Sequence, residues 1–150
     1  RQMCIRDSFK FADSFTCQFS YYAMDEGKGI QSTMPGTVTV SVTAINDAPT
    51  ALAKSYNMQE DGSNDMDVLT GSTDPDGDTL TVGSISDIGT CGSSDPTIAS
   101  DETSILYKPQ KDWYGTCTFK YTAQDPSGSN SAPVLVSVVV NPGEPALARQ

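Results

Sequence analysis

Histidine is absent from all 150 residues. That removes the commonest general base, the Ser-His-Asp and Cys-His arrangements and most zinc or iron sites in one step. Basic residues are scarce as well: nine Lys and Arg stand against 19 Asp and Glu, giving a net charge of −10, and they form no cluster. Nucleic acid and anionic membrane surfaces are therefore poor partners, because nothing offers the counterion release that drives such binding. No apolar run reaches the length needed to span a bilayer, so direct membrane insertion is not expected either. No segment carries a helical apolar stripe for three turns; apolar and polar residues alternate instead, which is the period of a strand. Cysteines number only four, in two pairs, and neither pair has the Cys-x-x-Cys spacing of a redox or zinc motif. Paired cysteines in an acidic chain rich in Ser, Thr and Gly point to disulfides and to an extracellular or cell-surface setting.

What the chain does have is carboxylate placed with care. Asp74-Pro-Asp-Gly-Asp78 puts three carboxylates at alternate positions of a turn, directly before the alternating Leu80 and Val82. Pro75 presets φ and Gly77 permits the positive φ that closes such a turn, so side-chain and backbone oxygens can converge on one point. Hard cations such as calcium want that kind of oxygen cluster. An EF-hand is excluded by spacing: the loop would need Gly at its sixth position and Glu at its twelfth, where this chain has Thr79 and Ile85. The plain alternative is a solvated acidic loop between strands.

Strands are expected throughout. Cys17 to Asp25 places Cys17, Phe19, Tyr21 and Ala23 on one face and Gln18 and Ser20 on the other. Val38, Val40 and Val42 alternate into Ile45 before Asn46-Asp-Ala-Pro49 breaks the run. Further strands are expected over 51–58, 66–69, from Leu80 onward, over 104–107, over 117–125 and over 134–140, with a loop from Cys91 to Pro96 and a break at Asn141-Pro-Gly-Glu-Pro145.

The chain also repeats itself. Cys17-Gln-Phe-Ser-Tyr-Tyr-Ala-Met-Asp25 and Cys117-Thr-Phe-Lys-Tyr-Thr-Ala-Gln-Asp125 agree at Cys, Phe, Tyr, Ala and Asp, 100 positions apart. Asn46 with Ala51-Leu-Ala-Lys54 matches Asn141 with Ala146-Leu-Ala-Arg149, 95 positions apart, so the connection after Asp25 is expected to be five residues longer than the one after Asp125. A period near 95 suits whole β-sandwich domains in tandem rather than a solenoid. Residues 1–47 then read as the C-terminal half of one repeat, 48–143 as a complete repeat and 144–150 as the start of the next. A half-repeat by itself exposes an apolar face and unpaired edges, to be covered by upstream chain or by strands borrowed from a neighbour. The start at Arg1 and the segment RQMCIRDS, which resembles translated adapter sequence, point to a piece of something longer and place Cys4 in question.

Glu60-Asp-Gly62, Asp74-Pro-Asp-Gly-Asp-Thr-Leu80, Tyr107-Lys-Pro109, Trp113-Tyr-Gly115, Phe119-x-Tyr121, Asp125 and the Asn46-Asp-Ala-Pro49 linker, in this order, resemble the cadherin-like, calcium-binding tandem repeats of large extracellular adhesins and surface fibres. The resemblance implies an all-β, Greek-key, Ig-like sandwich of about seven strands, joined end to end with its neighbours. It also implies a calcium site drawing on Asn46, Asp47, Asp74, Asp76 and Asp125, with Asp78 as a spare. Glu60 resembles the ligand that serves the following junction, and Asp25 the equivalent of Asp125 in the preceding repeat. Tyr107-Lys-Pro-Gln110 lacks the second acidic pair of true cadherins, and Asn141-Pro-Gly-Glu144 replaces an acidic linker, so fewer ions and a weak C-terminal site are expected.

For the cysteines the expected bridges are Cys91–Cys117 and, in the first unit, Cys4–Cys17; in the chain-entropy model the former stabilises by roughly 3 to 4 kcal/mol. Trp113, Tyr114 and Phe119 could form a sugar platform, but aromatics beside a strand start belong more often to a core. Paired Asp residues could serve a glycosidase, yet these sit on one open turn with no apolar pocket to raise a pKa, and no enzymatic activity is expected. The function that follows is a structural or adhesion module. Its partners are neighbouring repeats of the same chain, other copies in a fibre or a cell-surface ligand, and calcium stiffens its hinges. The alternative is a carbohydrate-binding or accessory module of a secreted enzyme.

Overall fold

The computed structural model describes residues 14–92 and 94–143, and they divide into two compact units at the Asn46/Asp47 peptide. Every regular element among them is a strand, and among these described residues no helix is long and apolar enough to cross a membrane.

The first unit is a hairpin. Strand β1 (Phe15–Tyr21) pairs antiparallel with β4 (Gly36–Val42), and the connection carries a small two-stranded ribbon, β2 (Met24–Asp25) with β3 (Ile30–Gln31). The expected continuous strand from Cys17 to Asp25 is thus interrupted after Tyr21. At that point the chain leaves β4 and pairs with itself instead: the Ser32 amide donates to the Ala23 carbonyl at 2.8 Å, and the Ala23 amide donates to Ser32 Oγ at 3.2 Å.

The second unit is a seven-stranded sandwich. Strands β5 (Lys54–Gln59), β6 (Asn64–Met66), β7 (Thr81–Ser86), β8 (Thr97–Ile98), β9 (Ile105–Tyr107), β10 (Gly115–Gln124) and β11 (Val134–Asn141) form one sheet in the order β5-β11-β10-β7 and a second in the order β6-β9-β8. All pairings are antiparallel except β5 on β11. The expected strands are all present, with shifted ends: β5 begins at Lys54 rather than Ala51, β6 ends at Met66 where a strand over 66–69 was expected, and β8 falls in a stretch with no expected strand.

Alternation explains the core. Cys117, Phe119, Tyr121 and Ala123 on β10, with Val136, Val138 and Val140 on β11, share one face and are buried against Met66, Val68, Ile105 and Tyr107 of the other layer. A β-bulge between Thr122 and Ala123 shifts the register with β7, so Thr122 is buried beside Ala123 without breaking the inward run. Two buried tyrosines satisfy their hydroxyls on backbone. Tyr121 Oη donates within reach of both the Val68 (2.6 Å) and Leu52 (3.0 Å) carbonyls, and Tyr107 Oη donates to the Cys91 carbonyl at 3.0 Å. Cys91 and Cys117 are bridged, as expected, across 26 residues. The Cys4 side of the other expected bridge lies outside the described residues.

Trp113 packs against the core and lies so close over Gly92 that a Cβ there would meet its ring at 2.5 Å. Phe119 is fully buried and Trp113 partly so, whereas Tyr114 is exposed.

The two registers correct the expected alignment of the units. Cys17 lies opposite Val40 and Phe19 opposite Val38, just as Cys117 lies opposite Val138 and Phe119 opposite Val136. The β1–β4 connection is therefore only two residues longer than its counterpart, and the other three extra residues follow β4. Asn141 closes β11 opposite Gln59, whereas Asn46 lies beyond the end of β4, so these two asparagines are not structural equivalents.

Candidate metal centre

Two Asp-Pro-x-Gly turns meet at one end of the sandwich. The first, Asp74-Pro-Asp-Gly77, leads into β7; the second, Asp125-Pro-Ser-Gly128, leaves β10, and β7 and β10 are paired at that end through Thr81 and Gln124. Each turn closes the same way, with the Gly amide donating to the Asp carbonyl at 3.1 Å and the glycine at positive φ (79° for Gly77, 89° for Gly128). Proline fixes the first corner and glycine accepts the left-handed exit. Asp125 sits just past the end of β10, as its parity with the core residues demands, and is 3% exposed. The second turn was legible as the same four-residue pattern but was not singled out.

Each turn spends one carboxylate oxygen on itself. Asp74 Oδ1 accepts the amides of Asp76 (2.8 Å) and Asp78 (3.3 Å), and Asp125 Oδ1 accepts that of Ser129 (2.8 Å). Asp76 Oδ2 accepts the amide of Asp47 at 2.7 Å, which ties the first residue of the second unit to the turn. The remaining oxygens, Asp74 Oδ2 and Asp76 Oδ1, are buried and have no hydrogen-bond partner, and Asp76 as a whole is 8% exposed. Burial, followed by the charges of Asp74, Asp76 and Asp125, pushes the Asp78 carboxyl up from the usual aspartate range. The four side chains therefore share one electrostatic field. As they stand, no three His, Cys, Asp or Glu side chains among the described residues are grouped closely enough to hold a metal ion.

Within the second unit, Glu60 lies away from these turns. Glu60 follows β5 at its far end, where its amide donates to the Asn141 carbonyl and its Oε1 accepts the Gly143 amide at 2.7 Å. Since β5 starts near Thr70 and rises roughly 3.3 Å per residue, Glu60 is about a strand's length from Asp74. Asn46 and Asp25 belong to the first unit. Asp25 is exposed, with its Oδ1 accepting the Gly27 amide at 2.8 Å and its carbonyl accepting those of Lys28 and Gly29.

Sequence reasoning passed over Ser131 and Ser32. Ser131 Oγ accepts the buried Ala123 amide at 3.0 Å while its own amide donates to the Ala123 carbonyl at 2.8 Å, and Ser32 braces Ala23 with the same pair of bonds. The signal was available as a serine eight or nine residues after each Ala-x-Asp. Beside the Asp74 turn lies a groove lined by Asp65, Asp67, Asp78, Asp101, Thr103 and Ser104, acidic and rich in hydroxyl groups.

Comparison with known proteins identifies the sandwich. A family model described as a bacterial Ig domain matches residues 46–139. No curated protein matches. Among solved structures, similarity extends to a nucleoside hydrolase-related hypothetical protein from Saccharophagus degradans associated with carbohydrate metabolism, at 20% identity and a TM-score of 0.48 over 65% of this chain and 26% of that one. It extends also to an endo-fucoidan hydrolase of glycoside hydrolase family 107 (15% identity, TM-score 0.45, 89% of this chain and 20% of that one). A third is the sialic acid binding region of a Streptococcus sanguinis adhesin (16% identity, TM-score 0.40, 82% of this chain and 37% of that one). The chain spans between a fifth and two fifths of the length of these structures.

Proposed function

From the premise that this chain belongs to the bacterial Ig domain family, we propose that it is a non-catalytic structural or adhesion module of an extracellular or surface protein, and that calcium binds its carboxylate cap. The observation that carries this reading is the pair of buried carboxylate oxygens, Asp74 Oδ2 and Asp76 Oδ1, that no donor satisfies. A buried, unpaired carboxylate oxygen is expensive. A cation offsets that cost, and a donor set made only of oxygen suits calcium rather than zinc.

The residues that would hold the ion are Asp74, Asp76, Asp78 and Asp125. Asp78 is only partly buried and can move to complete the group. Bound calcium supplies positive charge to a cluster that otherwise repels itself. Asp47 is held to Asp76 through its amide, so the ion also firms the point at which the chain enters the sandwich. In a tandem array that stiffening would pass to neighbouring repeats of the same chain, and through them to other copies in a fibre or to a cell-surface ligand. The Cys91–Cys117 bridge accords with an extracellular setting.

Calorimetric titration with calcium, paired with thermal unfolding in calcium and in chelator, tests the reading. Affinity in the ~0.1 to 1 mM range of extracellular modules is expected, with about 2.7 kcal/mol of added stability at a hundredfold excess over Kd. Asp76→Asn should abolish the calcium gain yet raise stability in chelator, because it removes a negative charge from the cluster. No heat of binding and no shift in unfolding would sink the idea.

The alternative module, one that binds carbohydrate or assists a secreted enzyme, draws on exposed Tyr114 beside the partly buried Trp113. Saturable glycan binding lost on Tyr114→Ala would favour it. Trp113→Ala is a poor probe, since Trp113 packs on the core.

A further inference from the structure

Strand β5 opens the sandwich and β11 closes it, and the two are neighbours running the same way, paired from Lys54 opposite Val136 to Gln59 opposite Asn141. The chain therefore enters this pair at one end and leaves it at the other. Tension between entry and exit drives the strands past each other along their length, so the ladder bonds are strained together rather than in turn. The exit is fastened to the same pair. The Glu60 amide donates to the Asn141 carbonyl at 2.9 Å, Asn141 Nδ2 donates to the Met58 carbonyl at 3.2 Å, and the Gly143 amide donates to Glu60 Oε1 at 2.7 Å. Side chains oppose sliding as well: Tyr56 and Met58 pack on the core that holds Val136, Val138 and Val140, and a slip of one residue would turn them to the other face.

We propose that the parallel β5–β11 pair is a shear clamp, which gives the module resistance to pulling along the chain. The clamp deepens the reading of a structural or adhesion module, since a surface protein held at one end and bound at the other is pulled in this direction, but it does not rest on calcium. Alternation says which groups form it. The Met58 carbonyl and the Glu60 amide point at β11, so the even-numbered residues of β5 face that strand, while Ser55 and Asn57 direct their amides out from the sheet edge. On β11, the amides of Ser137, Val139 and Asn141 face β5 by the same rule. The Cys91–Cys117 bridge lies outside the clamp. With a sequence separation of 26 it keeps about 90 Å of chain, at roughly 3.5 Å per residue, out of any extension.

Single-molecule force spectroscopy on the full chain, in chelator, tests this. With handles at the two chain ends the sandwich is loaded in shear. With one handle moved to an azide-bearing residue at exposed Ser63, just beyond β5 at the Asn141 end of the pair, the same ladder is unzipped pair by pair. Sandwich events are identified by a contour length that grows by about 90 Å when the disulfide is reduced. Rupture on unzipping is expected at about half the shear force or less, because forced unfolding reads the barrier along the pulling direction. Val139→Pro removes an amide that faces β5, from an exposed position, and should lower the shear force; Asn57→Pro, whose amide faces the edge, should not. Comparing handles leaves the ladder unaltered, so that result stands even where Val139→Pro fails to fold. Equal forces in the two geometries, or a shear force lowered as much by Asn57→Pro as by Val139→Pro, would overturn the clamp. A shear force that appears only with calcium would overturn it in favour of the carboxylate cap, whereas absence of calcium binding in calorimetry would leave the expected forces unchanged.

Discussion

The hairpins β1–β4 and β10–β11 begin from nearly the same residues and end in different states. Cys, Phe and Tyr occupy matching positions on the first strand, Val faces each Cys and Phe across the ladder, and the same Ala-to-Ser brace closes the far end. Tyr121 stands upright into the core and bonds the backbone of Leu52 and Val68. Tyr21 lies instead over Gly36, so close that a Cβ there would meet its ring at 2.6 Å. The position opposite Tyr121 is Val134, whose side chain denies the ring that resting place. The difference teaches that alternation and register form a hairpin, but a second layer decides whether its apolar face is a core or a surface.

That contrast can be broken at four points. Phe119→Ala should destabilise the sandwich by about 3 to 5 kcal/mol, whereas Phe19→Ala, at a half-exposed site, should cost under about 1 kcal/mol; denaturant unfolding followed separately in each unit measures both. Replacing Cys91 and Cys117 together by Ser should cost roughly 3 to 4 kcal/mol in the second unit and leave hydrogen exchange in β1 and β4 unchanged. Ser131→Ala orphans the buried Ala123 amide and should cost about 1 to 3 kcal/mol, while Ser32→Ala, where water replaces the hydroxyl, should cost a few tenths; a stability difference near zero between the two variants would show that the braces are equivalent after all. The smallest effect concerns Asp67. Its carboxyl is held below the usual aspartate range by the hydroxyl and amide of Thr70. A lowered folded-state pKa contributes stability above the unfolded value that is lost as pH falls through the folded one. Because Asp67 is exposed, solvent screening keeps the contribution below about 1 kcal/mol. Asp67→Asn should flatten the acid limb of the second unit's stability curve and leave the first unit's untouched.

Much of the fold was legible because its signals are local. Cys117, Phe119, Tyr121 and Ala123 alternate, Pro75 with Gly77 marks a turn, and the repeat of Cys17–Asp25 at Cys117–Asp125 announces duplicated domains. Strand ends were less so: β5 begins only where it meets β11, and β8 exists because β9 offers an edge. The equivalence drawn between Asn46 and Asn141 failed for the same reason, since letters alone could not say that Asn141 still belongs to a ladder and Asn46 does not.

The candidate site divides along the same line. By itself the sequence determined that carboxylates of the Asp74–Asp78 turn and Asp125 would sit at strand ends near β7 and β10, because parity forbids a charge inside the sandwich and Pro-Gly pairs make the corners. Glu60, which the resemblance to tandem repeats assigned to the following junction, lies at the far end of β5 beside Asn141 and Gly143. Only the tertiary structure decided which carboxylate oxygens remain open. Hydrogen bonds from Asp47, Asp76, Asp78 and Ser129 claim one oxygen each from Asp76, Asp74 and Asp125, and Asp74 Oδ2 and Asp76 Oδ1 are buried with no hydrogen-bond partner in the protein. Desolvation is a property of the assembled end of the sandwich, and no spacing of letters encodes it.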